Sequence, residues 1–233
     1  MSANSNNLIP ATERFLFPPW ANYLVPGLVI VAIGVLTYIP LVLGLFLSPQ
    51  TTDVRYQPQQ PLPFSHELHA GELQMDCRYC HSTVEQTACA AIPSTKVCMN
   101  CHASIKSESE KLLLVRESYT SGKSVSWIKI HDEPDFVFFN HAAHVNTGVG
   151  CVSCHGRIDQ METVYQHEPL SMAWCLSCHR NPGPHLRPRE EVTNMHWDVS
   201  TTGKSQAELG EELCRHYQVQ DTVIMTSCTT CHR

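Results

Sequence analysis

Positive charge is scarce in this sequence. Its 233 residues carry 16 Lys and Arg against 22 Asp and Glu, for a formal charge of −6, and that balance disfavours nucleic acid as a partner. Charge of either sign is missing altogether between Phe15 and Thr52. Within that stretch Leu24 to Leu47 is dominated by Val, Ile, Leu, Gly and Ala, and at about 1.5 Å per residue it is long enough to cross a bilayer. Basic residues ahead of the run are missing too, Arg14 excepted, and so are small residues at a cleavage site, both of which a removable signal peptide would show. A retained anchor is therefore expected, with Trp20 and Tyr23 at the membrane interface, Pro26 in the first helical turn and Pro40 bending the helix. Beyond it, 15 Pro and 11 Gly spread along the chain argue against long regular elements.

What the sequence has in plenty is cysteine and histidine, and most of it falls into one pattern. Cys-x-x-Cys-His occurs five times, at Cys77, Cys80 and His81; Cys98, Cys101 and His102; Cys151, Cys154 and His155; Cys175, Cys178 and His179; and Cys228, Cys231 and His232. Two thiols at this spacing add across the vinyl groups of a haem, and the adjoining imidazole binds the iron from the proximal side. Zinc knuckles need the paired cysteines but no histidine after every pair, so they account for the pattern poorly. Five haem c groups are the expected cofactors. The expected fold is a multihaem cytochrome c: mostly coil, with short α-helices around stacked haems, plus one N-terminal transmembrane helix. The flat apolar macrocycles supply the buried surface that a loop-rich chain cannot assemble from aliphatic side chains. Cys89 and Cys214 lie outside the motifs and are read as a possible disulfide or as ordinary buried thiols.

The chain divides accordingly. Residues 1–23 form an N-terminal segment, 24–47 the transmembrane helix, 48–63 a Pro-rich tether and 64–233 the haem domain. Inside the domain, Phe64-Ser65-His66-Glu67-Leu68-His69 precedes the motifs at Cys77 and Cys98, and Phe139-Asn140-His141-Ala142-Ala143-His144 precedes those at Cys151 and Cys175. The module 64–102 is thus repeated as 139–179, and the motif at 228–232 stands alone. Histidines at i and i+3 occupy one helical face and can diverge toward two irons, a haem-bridging device. Between the modules, Ile105, Leu112, Val115 and Tyr119 keep helical spacing, which predicts a helix from about Ser104 to Tyr119 ended by Gly122. Ser126 to Ile130 alternates as a short strand. Arg157, Arg180, Arg187 and Arg233 stand near the motifs as candidates to pair with haem propionates. Because c-type haem is attached outside the energised membrane, the N-terminus is expected on the cytoplasmic side of the cytoplasmic membrane and the haem domain on the periplasmic side.

Phe-x-His-x-x-His followed by Cys-x-x-Cys-His resembles the small multihaem cytochromes of the c3 and c7 type. That resemblance implies that His66 faces His81, His69 faces His102, His141 faces His155 and His144 faces His179. It also implies Met172, just ahead of the motif at Cys175, as the distal ligand of the haem at Cys228. Met161, Met195 and His131 are rivals there, and His167, His185, His196 and His216 are further unspent imidazoles. The anchor, the five motifs, the stretch from Trp127 to His141 and the run Trp174 to Pro182 together are similar to the pentahaem cytochrome subunit of alternative complex III. Membership would imply an electron-transfer subunit without a catalytic site of its own. It would work beside integral-membrane quinol-binding and iron-sulfur subunits and deliver electrons from quinol to a monohaem cytochrome or other periplasmic acceptor. Two other readings of the motifs are a tetrahaem-type quinol dehydrogenase and a multihaem oxyanion reductase. The reductase needs an iron with an open distal position.

Overall fold

The computed structural model describes residues 17–48 and 52–232, so Arg14, residues 49–51 of the expected tether and Arg233 lie outside the described residues. The chain divides at Thr51 into two compact units. In the first, a 3-10 turn over Pro19–Tyr23 leads into helix α1, Leu24–Phe46, which has no buried residue. Among the described residues this helix, with the turn before it, is long and apolar enough to cross a membrane, and its polar Thr37 returns its hydroxyl to the Ile33 carbonyl at 2.9 Å. Pro40 lies inside α1. It withholds one helical hydrogen bond, that to the Leu36 carbonyl, and the helix nevertheless continues to Phe46.

The second unit, from Thr52 onward, is built of short helices: α2 (Cys77–Cys80), α3 (Thr95–His102), α4 (Leu113–Ser121), α5 (His141–Asn146), α6 (Val152–His155), α7 (Met172–Arg180), α8 (Gln206–His216), α9 (Thr222–Met225) and α10 (Cys228–Cys231). Helices this short gain little from their own hydrogen bonds, and five are closed at the N-terminus by a side chain. Asp76, Asn140, Ser171, Ser205 and Asp221 accept from a backbone N–H of the first turn, Ser205 as part of a capping box with Glu208. No strand forms among the described residues. Two isolated antiparallel bridges, Val137 with His232 and Val149 with Leu186, are the only sheet-like pairings there.

Three expectations change. The helix predicted from Ser104 starts late, as a 3-10 turn at Glu110–Leu112 followed by α4, because Lys106 takes a left-handed φ of 51° and Arg116 holds the carbonyls of Ser107 and Ser109. Of the four residues that defined its apolar face only Val115 is buried, at 1% exposure; Gly122 does end it, at φ +71°. The strand expected at Ser126–Ile130 is irregular coil whose Ile128 pairs with the Gln60 amide, which donates to the Ile128 carbonyl and accepts from its N–H, both at 2.9 Å. A glutamine side chain thus takes the place of a neighbouring strand. Within the Pro-rich stretch, residues 52–63 belong to the second unit: Arg55 N–H donates to Gln166 at 2.8 Å, Gln166 N–H to Tyr56 at 3.1 Å and Gln57 to Thr163 at 2.8 Å.

Aliphatic packing is sparse. The buried apolar side chains among the described residues include two small clusters, Val84 with Val145 and Val192, and Leu186 with Leu209 and Leu213 of α8. The second cluster depends on Gly148. Its φ is +86°, and a Cβ there would lie 2.4 Å from the Arg187 carbonyl and 2.9 Å from the Tyr217 ring. Gly148→Ala should therefore combine left-handed strain with overpacking and lower stability by about 2–4 kcal/mol, measured as a shift in the denaturation midpoint; an unchanged midpoint would contradict this packing.

Candidate haem-binding centres

Each Cys-x-x-Cys-His motif is folded as one helical turn. In α2 the N–H of His81 donates to the Cys77 carbonyl at 2.8 Å; His155 does the same to Cys151 at 3.0 Å and His232 to Cys228 at 2.9 Å. Helical geometry places residues i, i+3 and i+4 on one face. Two sulfurs and an imidazole are thereby presented together, the donor set that attaches a haem and ligates its iron. Among the described residues no group of three or more Cys, His, Asp or Glu surrounds a common point, so the motifs do not pair into tetrahedral zinc sets.

The opposing histidines come from the two repeated segments, and the repeat extends to side-chain detail. The Phe64 ring stacks on His69 at 4.5 Å and meets His66 edge-on at 4.9 Å. Phe139 stacks on His144 at 4.6 Å and meets His141 edge-on at 4.7 Å. In each copy the second histidine turns its Nδ1 back to the carbonyl four residues earlier: His69 to Ser65 at 2.8 Å and His144 to Asn140 at 2.7 Å. His66 stands at the N-terminal edge of a single wide turn, Glu67–Glu72, and His69 lies within it, while His141 and His144 lie on α5.

Backbone carbonyls orient most of these rings. His81 Nδ1 faces the Ala91 carbonyl, His102 that of Ile105, His141 that of Ala88, His179 that of Met225 and His232 that of Phe136, at 2.8–3.2 Å. A carbonyl can only accept, so in each case Nδ1 carries the proton and Nε2 keeps its lone pair for a metal. Nδ1 of His66 and of His155 are buried without a partner. Burial, reinforced by the neighbouring His81 and His69, lowers the His66 pKa to about 4; burial among His131, His141, His81 and His66 lowers that of His155 to about 3. Both rings are neutral at physiological pH.

Three of the four expected pairs are opposed across a gap. Ring centres are 6.2 Å apart for His69 and His102, 6.5 Å for His141 and His155 with the rings only 9° from parallel, and 6.0 Å for His144 and His179. Two imidazoles on opposite sides of one metal, with bonds of about 2 Å, put their ring centres roughly 6 Å apart, so the residues fit a haem iron. His66 and His81 are electrostatic neighbours. Most motif cysteines are half-buried, with Cys101 and Cys228 exposed, and burial pushes the Cys154 thiol up to about 12. The aromatic run beside these centres is open, Phe136 at 61% exposure, a surface suited to covering by a macrocycle.

The rivals for the haem at Cys228 fall in different places. Met172 stands at the start of α7, 66% exposed and one turn from Cys175. Met161 is packed in the core, its carbonyl accepting from Glu67 at 3.1 Å. Met195 lines a cavity of about 380 Å³ beside Cys77. His131 lies 4.6 Å from His155 rather than beside His232. Of the arginines, Arg157 is taken by Asp159 through two hydrogen bonds of 2.8 and 2.7 Å, Arg180 is exposed, and Arg187 is buried over the Trp197 ring. Cys89 and Cys214 are free thiols, the first exposed and the second packed on the Leu186 cluster, so the possible disulfide does not form. The orienting carbonyls carry no sequence signature, since any residue supplies one.

Asp76 fixes the first motif from outside. It accepts from the Arg78 backbone and guanidinium at 2.8–3.0 Å and from the Thr193 hydroxyl at 3.0 Å, and these bonds, Arg78's first, hold its carboxyl at about 2. A carboxyl depressed in the folded state stabilises above its unfolded pKa and loses that contribution as pH falls through the folded value. Asp76→Asn should cost about 1 kcal/mol or less at pH 7, since the group is partly exposed. The gap to the parent protein should close between pH 4 and pH 2, as read from denaturation midpoints; a gap that persists at pH 2 would contradict it.

Helical Cys-x-x-Cys-His turns and imidazoles opposed across a gap define a class, the multihaem c-type cytochromes. Residues 47–135 match the Class III cytochrome C family. The chain is also 32% identical to the "Menaquinone reductase, multiheme cytochrome c subunit" of Nitratidesulfovibrio vulgaris, over 61% of this chain and 77% of that protein. The chain belongs to the multihaem cytochrome c family, whose cofactor is covalently bound haem c.

Proposed function

We propose that this chain is a membrane-anchored electron conduit with five haem c groups, acting as a subunit of a quinone-linked membrane complex. The observation that supports the reading is the three pairs of imidazoles opposed across a gap at 6.0–6.5 Å, which would hold a haem iron from both sides and leave no position at those irons for substrate. When bound, each haem supplies one iron that alternates between ferric and ferrous states. The ten motif cysteines hold the macrocycles; His81, His102, His155, His179 and His232 are the proximal ligands. His66, His69, His141 and His144 are the distal ones, with Met172 for the fifth.

The relative's role as a subunit of menaquinone reductase supports partners that bind quinone in the membrane. The finer assignment is the pentahaem subunit of alternative complex III, held by α1 in the cytoplasmic membrane with the haem domain on the periplasmic side. There it would work beside integral-membrane and iron-sulfur subunits and pass electrons from quinol to a monohaem cytochrome or similar acceptor. The relative's name favours a second reading, in which the same conduit runs toward menaquinone. In the assembled complex, quinol that reduces the haems supports the first direction, whereas menaquinone that oxidises prereduced haems, with quinol inert, supports the second. The haem-loaded chain by itself should show a low-spin spectrum unchanged by carbon monoxide and should turn over neither quinol nor nitrite. High-spin iron with turnover by the isolated chain would contradict the conduit.

A further inference from the structure

We propose that electrons cross this chain in an order different from that of the sequence: the motif at Cys98, then Cys77, Cys151, Cys175 and Cys228. The motifs at Cys98 and Cys228 are the two ends. The inference rests on the conduit reading above and assigns its path.

Four joints carry it. The first and second motifs meet through their middle residues, Asn100 donating to the Tyr79 hydroxyl at 3.1 Å, and His66 and His69 of one turn serve the two. The first and third motifs meet where Val192 and Thr193 reach both of them. One short segment clamps both, Cys151 N–H donating to the Val192 carbonyl at 2.9 Å and Thr193 to Asp76 at 3.0 Å. The third and fourth lie on two sides of α5, His141 opposite His155 and His144 opposite His179. The fourth and fifth are joined by the bond of 2.9 Å from His179 to the carbonyl of Met225, three residues before Cys228.

Sequence order would need a joint between the second and third motifs, and no hydrogen bond among the described residues links 98–102 to 151–155. His102 is instead satisfied locally by Ile105, and α3 packs on α4 through Thr95 and Ser118, an element without a haem motif. The duplicated modules are therefore joined through their first members, and the second motif is left at the far end. With haem bound, the residues of each motif would hold an iron that exchanges one electron with its neighbour across the joint, one being oxidised as the other is reduced. The electron is supplied at one end by the quinone-linked partner or, in the reverse direction, at the other end by the periplasmic one.

Neighbouring redox centres sense each other's charge, and the effect falls with separation, so deleting one haem perturbs the potentials of its neighbours. In the full chain, Cys98→Ala with Cys101→Ala should shift the potential of one remaining haem, and Cys77→Ala with Cys80→Ala should shift two, followed by redox titration monitored by electron paramagnetic resonance. His102→Met and His81→Met retain covalent attachment while raising the potential of the altered haem, and should give the same counts of one and two if the cysteine variants fail to fold. Counts of two and one, as sequence order demands, or equal counts would overturn the proposed path. Absence of covalent haem from these motifs in the parent chain, read by mass spectrometry, would instead overturn the conduit reading itself.

Discussion

Synthesised without haem attachment, the unit from Thr52 onward should fail to fold cooperatively. Its aliphatic burial among the described residues amounts to small clusters and a few scattered side chains such as Leu62 and Val115, far too little apolar surface to offset the entropy of ordering so long a loop-rich segment. Side chains that would ordinarily close a core, Phe136, Phe138 and Phe139 among them, are open, and imidazoles face one another across gaps wide enough for a metal between them. Haem is thus expected to act as the core, and its covalent bonds also restrict the unfolded chain. The apoprotein, made where haem is not attached, should show no sigmoidal thermal transition by circular dichroism and should bind hydrophobic dyes. A cooperative transition like that of the haem-loaded protein would refute this account of the core.

His144→Ala should leave all haem attached but convert one iron to a high-spin, five-coordinate state that binds carbon monoxide. The His144 ring is held on Phe139 and by the Asn140 carbonyl, 6.0 Å from His179, and burial, opposed by that hydrogen bond and aided by His179, lowers its pKa. It is a neutral imidazole whose Nε2 is free to ligate. Truncation removes the ligand and leaves Cys175, Cys178 and His179 in place, so the change is confined to one iron; stability should fall by roughly 1–3 kcal/mol. His69→Ala should do the same at the iron of His102, because the repeat reproduces the geometry around Phe64. A low-spin spectrum indifferent to carbon monoxide in both variants would mean that other residues ligate these irons.

Much of this arrangement was readable in the chain. The Cys-x-x-Cys-His spacing implies one helical face, and the structure folds each copy as a helical turn; the Phe-x-His-x-x-His duplication reappears as matching ring contacts to within 0.2 Å. What was not legible depends on backbone and tertiary partners. Carbonyls of Ala88, Ala91, Ile105 and Met225 orient four of the rings, yet nothing about those residue types marks them for the role. Local periodicity also failed where a distant side chain intervened: Gln60 occupies the hydrogen bonds that a strand at Ile128 would have needed, and Arg116 holds open the turn where the helix from Ser104 was expected. Spatial order was hidden for a related reason. Val192 and Thr193 bond to Cys151 and Asp76 and so tie together residues that the sequence keeps a whole module apart.

The central claim is that every Cys-x-x-Cys-His turn in this chain carries a haem. Intact-mass spectrometry of the purified full chain, with peptide mapping of the modified cysteines, tests it most directly. Five covalent haems on the ten motif cysteines, with Cys89 and Cys214 unmodified, is the predicted result. Four or fewer haems, with an unmodified Cys-x-x-Cys pair in the mature protein, would contradict it.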